Sequence, residues 1–328
     1  MRFMAIIIAI LASLYGGYWF VGSNAVQKGA ALAIDGMRAE GWHVEYEAMS
    51  VRGFPSRFDT RFDAVALRDP ARTFAWQMPD FRLFALSYQP NKVIALWPAR
   101  QTLTIADEVF TLDSDGLRAS AKVGVAAALP LDSVTLEADA TRLASDQGWE
   151  ATLDHLVAAF RVAGPAPGQY DAFAEGRAIV LPAQAMALID PAGTMPAALD
   201  ILRVDAGLTF DRPFDATMGS DGGPKLTALT LRETRLGWGA VSFNATGDIT
   251  VDAAGVPAGA ITLAVKDWSQ LIALGVSAGA IDPGVAPTWD RAATMMAAGE
   301  DELRATITLR NGMMALGPIP LGPAPRLR

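Results

Sequence analysis

The sequence predicts a mostly β fold (β-rich α+β): a long antiparallel sheet, curled into a groove or flattened barrel-like body, with a few short helices and an N-terminal transmembrane helix. Three observations carry this expectation. Beyond position 42, apolar and polar residues alternate with period two through most of the chain, as strands with one dry and one wet face require. Short turn strings, not long helices, separate the alternating runs, which is the pattern of an antiparallel meander. The hydrophobic share is 51%, and too few helical stretches exist to cover a flat sheet of this length, so the sheet must fold over on itself.

The first element is apolar. Residues Phe3 to Val21 carry no charge and follow Met1-Arg2. As a helix rising about 1.5 Å per residue, this stretch nearly crosses a hydrocarbon core of about 30 Å. Phe3, Ile6, Ile7, Ile8, Leu11 and Leu14 supply the apolar body, and Trp19 and Phe20 stand where aromatic rings favour the membrane–water boundary. A cleaved signal peptide is the competing reading, with Ser23-Asn24-Ala25 before the cut. The aromatic continuation past Leu14 favours a retained anchor, and Arg2 favours an N-terminus kept inside with the bulk exported. The organisation expected is an anchor over 1–22, a membrane-proximal helix over 23–41 and a β-rich domain over 42–328.

In the proximal helix, Val26, Ala30, Ala33, Ile34 and Met37 fall near helical spacing and Gly41 ends the run. Trp42, Val44, Tyr46 and Ala48 then alternate with polar residues. After Gly53-Phe54-Pro55, the residues Phe58, Thr60, Phe62, Ala64 and Ala66 share one face, with Arg57, Asp59, Arg61 and Asp63 on the other. Further runs follow at 74–78, 81–88, 92–97, 101–106, 108–113, 117–123 and 133–140. Others lie at 156–162, 172–181, 204–210, 228–234, 240–252, 259–266, 303–310 and 313–317. Asn311-Gly312 is the strongest hairpin signal, because both residues tolerate positive φ; Gly222-Gly223-Pro224 is another turn string. Helices are expected at 182–189 and 195–202. Two later ones are expected near 267–279, with Asp267 and Gln270 as a capping box, and near 288–298, capped by Thr288.

The chemistry is narrow. A net charge of −8 and a pI near 4.9 disfavour nucleic acid, which wants a basic face. Cysteine is absent from the sequence and histidine occurs only at 43 and 155, so disulfides and thiolate metal sites do not arise. Gly275-Val276-Ser277-Ala278-Gly279 matches a nucleophile-elbow string, but helical residues precede it and no histidine follows. Asp113-Ser114-Asp115-Gly116 starts like a calcium loop, yet Gly124 stands where the bidentate glutamate belongs. The expectation is no catalytic, metal or cofactor-binding residue, and no enzyme. The candidate site is instead an apolar groove lined by Phe58, Phe62, Phe81, Leu83, Val93 and Leu136.

Gly53-Phe54-Pro55-Ser56-Arg57-Phe58, the late Leu309-Arg310-Asn311-Gly312 and the closing Leu316-Gly317-Pro318-Ile319-Pro320-Leu321-Gly322 resemble the domain of unknown function 2125 family of exported Gram-negative proteins. The strand, Asn-Gly, strand, Gly-Pro ending also resembles that of AsmA-like envelope proteins. The resemblance implies single-pass anchoring in the inner membrane, a periplasmic body and a long curved sheet. It carries over no catalytic residues. By analogy with AsmA-like proteins, it implies an envelope-maintenance role binding or transferring lipid, or another apolar ligand. The alternative is an assembly or scaffold factor with an envelope-protein partner.

Overall fold

The computed structural model describes residues 2–218, 223–297, 299–317 and 319–327. Met1, Gly222, Ala298 and Pro318, which enter the expectations above, lie outside the described residues. Strand accounts for 51% of the chain against 21% for helix, in one large antiparallel sheet with a partial ring. Two compact units are formed, Met1–Val123 with Leu136–Gly148 and Gly124–Thr135 with Trp149–Arg328.

The first unit opens with α1 (Arg2–Ala39), followed by β1 (His43–Glu45), β2 (Ala48–Arg52), β3 (Arg57–Arg68) and β4 (Phe74–Leu86). Then come β5 (Gln89–Leu96), β6 (Arg100–Ile105), β7 (Glu108–Asp113), β8 (Arg118–Val123) and the Leu136-onward part of β9 (Leu131–Ser145). The anchor and proximal segments, read from sequence as two pieces, are a single uninterrupted helix. One edge of β3 is shared by β1 and β2, and its other edge pairs with β4. β4 then forks: Arg82–Leu86 pairs with β5 and Phe74–Gln77 with β6. β6 pairs with β7, β7 with β9, and β5 with β8. An Arg118–Glu137 ion pair and the Asp115 N–H donated to the Asp139 carbonyl (3.0 Å) bring the β8 segment beside β9, making the partial ring.

The expected alternation along β3 holds only to Phe62. Ala64 sits in the left-handed region at φ 51°, and the burial phase shifts there although pairing stays in register, Asp63 with Asp80 and Val65 with Met78. Val65 is buried and Leu67 half-buried, while Ala64 is exposed, so Ala64 and Ala66 do not share the face of Phe58 and Phe62.

The second unit contains β10 (Glu150–Val162), β11 (Gln169–Val180), α2 (Ala183–Ile189), β12 (Ala198–Phe210), β13 (Leu226–Trp238) and β14 (Val241–Val251). It continues through β15 (Pro257–Lys266), α3 (Trp268–Ser277), α4 (Ala286–Ala297), β16 (Glu302–Arg310), β17 (Met313–Leu316) and β18 (Ile319–Pro323). From β10 to β18 each strand pairs antiparallel with the next, the meander the turn spacing predicts. Asn311 (φ 53°) and Gly312 (φ 72°) make the β16–β17 turn with both central residues at positive φ.

Three local expectations need correction. Residues 195–202 are not a helix: the Asp190 carboxylate accepts the Met195 N–H (2.7 Å) and the Thr194 hydroxyl (3.0 Å), fixing a loop, and β12 begins at Ala198 against β11. Asp267 does not build a capping box, because its own backbone is left-handed (φ 53°) and its side chain makes no cap hydrogen bond. Thr288 lies inside α4 and not at its start, because Val285 and Ala286 already donate to the Asp282 carbonyl. The Pro-rich Ile319–Pro323 forms a strand despite its composition, held by Met313–Leu316.

Candidate functional site

Among the described residues, α1 is the one helix long and apolar enough to cross a membrane. It has two halves of different character. Phe3, Ile6, Ile7, Ile8, Leu11 and Leu14 are exposed all round. From Trp19 on, a stripe through Gly22, Val26, Ala30, Ile34 and Met37 turns inward at the i, i+3/i+4 spacing of a packed helix face. Trp19 is buried, its ring 6.1 Å from Phe58, and its indole N–H donates to the Arg57 carbonyl (2.8 Å). Ala30 and Ile34 pack on the cluster of Phe62, Val65 and Met78.

This packing determines where the residues expected to line a groove lie. Phe62, Phe81 and Leu83 meet in that cluster, with the Phe81 ring tilted against Trp97 (5.3 Å between rings). Phe58 is buried beneath α1 at Gly22. Val93 is half-buried in the same cross-strand row as Phe58, through Ala85. Leu136 is half-buried on β9 and is not part of this cluster. Four of the six residues therefore sit in a filled core whose lid is α1.

The chemistry-bearing strings have structural roles here. Ser277 ends α3 by donating to the Leu274 carbonyl (2.9 Å). Asp113 holds Arg100 (2.7 Å) across the β6–β7 pair, which lowers its carboxyl below the usual range and raises the Arg100 guanidinium. Buried Ser114 donates to the Asp139 carbonyl (2.9 Å). His43 lies 3.0 Å from Glu45 on an exposed strand face. Among the described residues no group of three His, Cys, Asp or Glu side chains has a metal-binding arrangement.

A broader apolar surface lies in the second unit. Residues directly opposed across antiparallel strands share a face, so the registers define rows that run across the sheet. One row reads Phe160, Ala172, Ala206, Leu231, Gly247, Ile261, Ile307 and Leu316. The next on that face reads Ala158, Ala174, Val204, Thr234, Ala245, Leu263 and Ala305, and a third reads Leu156, Gly176, Leu202, Leu236, Phe243, Val265 and Leu303. A fourth, from Val162 through Tyr170, Leu208, Leu229, Ile249 and Gly259 to Leu309, lies on the other side of the first. Thr234 and the Tyr170 hydroxyl are the polar groups in these rows, and Tyr170 accepts the Phe214 N–H (3.0 Å). At about 3.4 Å per residue and 4.8 Å per strand, the rows cover an area about 20 Å by 34 Å.

Both ends of this face are capped. Met195, Trp238, Val241 and Leu274 form a core where α3 packs over β13 and β14, joined by Met186 of α2. Ile249, Val251 and Leu309 form another, covered by the tail residues Ala324 and Leu327. Between the caps Val204, Leu231, Leu263 and Ile307 are half-buried.

The opposite face is polar. Arg232 bridges Asp171 (2.9 Å) and Asp205 (2.6 Å), and its guanidinium is held above its usual value by those carboxylates against the effect of burial. Arg203 links Glu175 (3.6 Å) to Glu233 (3.4 Å). Surface depressions also lie on charged faces, such as one of about 480 Å³ in the first unit lined by Arg52, Asp59, Arg61, Asp63 and Arg82. The alternation of the apolar rows is visible in each strand of the sequence. What sequence reasoning missed is their alignment into one face, which depends on the pairing register.

A family model described as an uncharacterized protein conserved in bacteria, DUF2125, matches residues 19–325. The match begins at Trp19, where α1 starts to pack on the sheet. No curated protein and no solved structure matches the chain.

Proposed function

The chain belongs to the DUF2125 family, and we propose that it is a membrane-tethered envelope protein that binds or transfers lipid, or another apolar ligand, along a β-sheet face. The body lies in the periplasm and α1 holds it at the inner membrane. The observation that carries this reading is the set of aligned apolar rows from β10 to β17, whose Val204, Leu231, Leu263 and Ile307 are half-buried between two capped ends. An apolar surface of that extent costs free energy in water, about 25 cal/mol per Å², and a bound acyl chain removes the cost. The groove is therefore assigned to the second unit, since Phe58 and Phe62 already lie beneath α1.

The test is binding of a fluorescent fatty-acid probe to delipidated, detergent-solubilised protein. Leu263→Asp puts a carboxylate on the apolar face, while Thr262→Asp puts one on the exposed polar face of the same strand. Loss of binding in the first and retention in the second supports the reading; no uptake by the native chain refutes it.

A second reading is an assembly or scaffold factor. It is supported by Trp289 and Met296, which are exposed one heptad apart on α4, a pattern suited to a protein partner. In-cell crosslinking from position 289 that recovers no protein would count against it.

A further inference from the structure

The anchor is too short to work alone. Its free apolar stretch, Phe3–Leu14, rises only about 18 Å as a helix, against about 30 Å of hydrocarbon. Including residues through Val21 extends it to about 28 Å. Yet Tyr15, Tyr18 and Trp19 are already bonded to the body of the first unit. The Tyr15 hydroxyl lies 3.1 Å from Ser87 Oγ, the Tyr18 hydroxyl donates to the Ser87 carbonyl (2.6 Å), and the Trp19 indole donates to the Arg57 carbonyl (2.8 Å). Any depth reached by Tyr15–Val21 is therefore also reached by the β2–β3 and β4–β5 turns.

Those two turns are built for that depth. Phe54 caps the first and is 57% exposed, stacked on Phe20 (6.3 Å) and edge-on to Trp19 (5.5 Å). Tyr88 caps the second and is 70% exposed. With Tyr15, Tyr18 and Phe20, also exposed, they make an aromatic collar around one level of α1. Residues 14–23, 52–58 and 86–92 contain no Asp or Glu, in a chain with 35 acidic residues. They do contain exposed Arg52, Arg57 and Lys92. The first carboxylate past the collar, Asp59, is drawn to Arg57 (3.0 Å). Exposed aromatic rings rimmed by cations and free of carboxylates match the boundary of a phospholipid leaflet.

We propose that the Phe54 and Tyr88 turns insert into the leaflet beside α1, so that the membrane contact is a three-part footprint of helix and two hairpin tips. The proposal rests on the reading of α1 as a membrane anchor. It fixes the first unit's orientation, with β3 and β4 rising from the membrane and the Asp69–Thr73 turn at their far end.

The sequence has no cysteine, so single-cysteine variants of the full chain report single positions. An environment-sensitive dye is placed at Phe54→Cys, Tyr88→Cys, Leu11→Cys and Arg72→Cys, the last in the far turn. Each protein is reconstituted into phosphatidylethanolamine–phosphatidylglycerol vesicles carrying nitroxide lipids. Dyes at 54, 88 and 11 should be blue-shifted and lose a major share of their emission to the lipid quencher, with the dye at 72 unaffected. If 54 and 88 behave like 72 while 11 is quenched, the footprint is wrong and the anchor stands. If 11 also escapes quenching, the anchor reading falls and the footprint with it. Shielding of 54 and 88 by added protein and not by lipid would likewise overturn the proposal. Ser56→Cys, in the same exposed turn, replaces Phe54→Cys should that variant not fold.

Discussion

Two glycines of α1 should respond in opposite ways to the same substitution. At Gly22 an added Cβ would lie 2.6 Å from Phe58 Cζ and 3.2 Å from Cε1, whereas at Gly29 no atom stands within 4 Å. Replacing a helix-interior glycine by alanine stabilises the helix by about 0.5–1 kcal/mol. Gly29→Ala should gain that amount. Gly22→Ala gains it too, but must displace the Phe58 ring by about 0.8 Å to reach ordinary contact. Phe58 is buried and flanked by Trp19, and overpacking of a filled core costs about 1–3 kcal/mol. The two variants should therefore differ by that cost, about 5- to 150-fold in the equilibrium for lifting α1 from the sheet. Amide hydrogen exchange over residues 26–37 in detergent-solubilised protein reads this opening directly. Exchange should slow in Gly29→Ala and accelerate in Gly22→Ala. Equal exchange in the two would mean that the helix is not seated on Phe58, and the filled-core account of the first unit would fail.

Other perturbations follow from single residues. Ala64→Gly relieves an exposed alanine from the left-handed region and should raise the urea midpoint by the equivalent of about 0.5–1 kcal/mol, whereas Ala66→Gly, two residues on in ordinary strand geometry, should lower it by a similar amount. Equal signs would contradict the left-handed backbone at Ala64. The Asp190 carboxyl is held below its usual range mainly by the Met195 N–H, with Thr194 adding to it. Its folded-state pKa is thus depressed, so its contribution is complete above the ordinary carboxylate value near 3.9 and is lost as pH falls through the lower folded value. The gap in thermal midpoint between the native chain and Asp190→Asn should be constant above about pH 5 and shrink below about pH 4; a gap that persists unchanged into strong acid would sink the assignment.

The sequence made the fold class legible because most of its strands keep strict period two and its turns use residues such as Asn311-Gly312 that admit few alternatives. It misled where a backbone detail changed phase or state. Ala64 carries no sequence mark of positive φ, yet it moves Val65 and Leu67 to the buried face. Met195–Leu202 has helix-forming residues, but a carboxylate five residues upstream and a waiting β11 edge take its backbone hydrogen bonds instead. The apolar character of the candidate site was visible, and its location was not. Phe58 and Phe62 announce a strong apolar face, but only the packing of α1 reveals that the face is filled. The quieter Ala, Val and Leu positions of β11 to β16 gain their meaning from register, which no single strand contains.

The most direct measurement is photocrosslinking with a photoactivatable fatty acid, followed by mass-spectrometric mapping of the modified residues in the full chain. Adducts are expected on Leu231, Leu263 and Ile307, removed by competing unlabelled fatty acid and absent from Thr262 and Thr308 on the polar face. Adducts confined to Phe3–Val21, or none above the competed background, would contradict it.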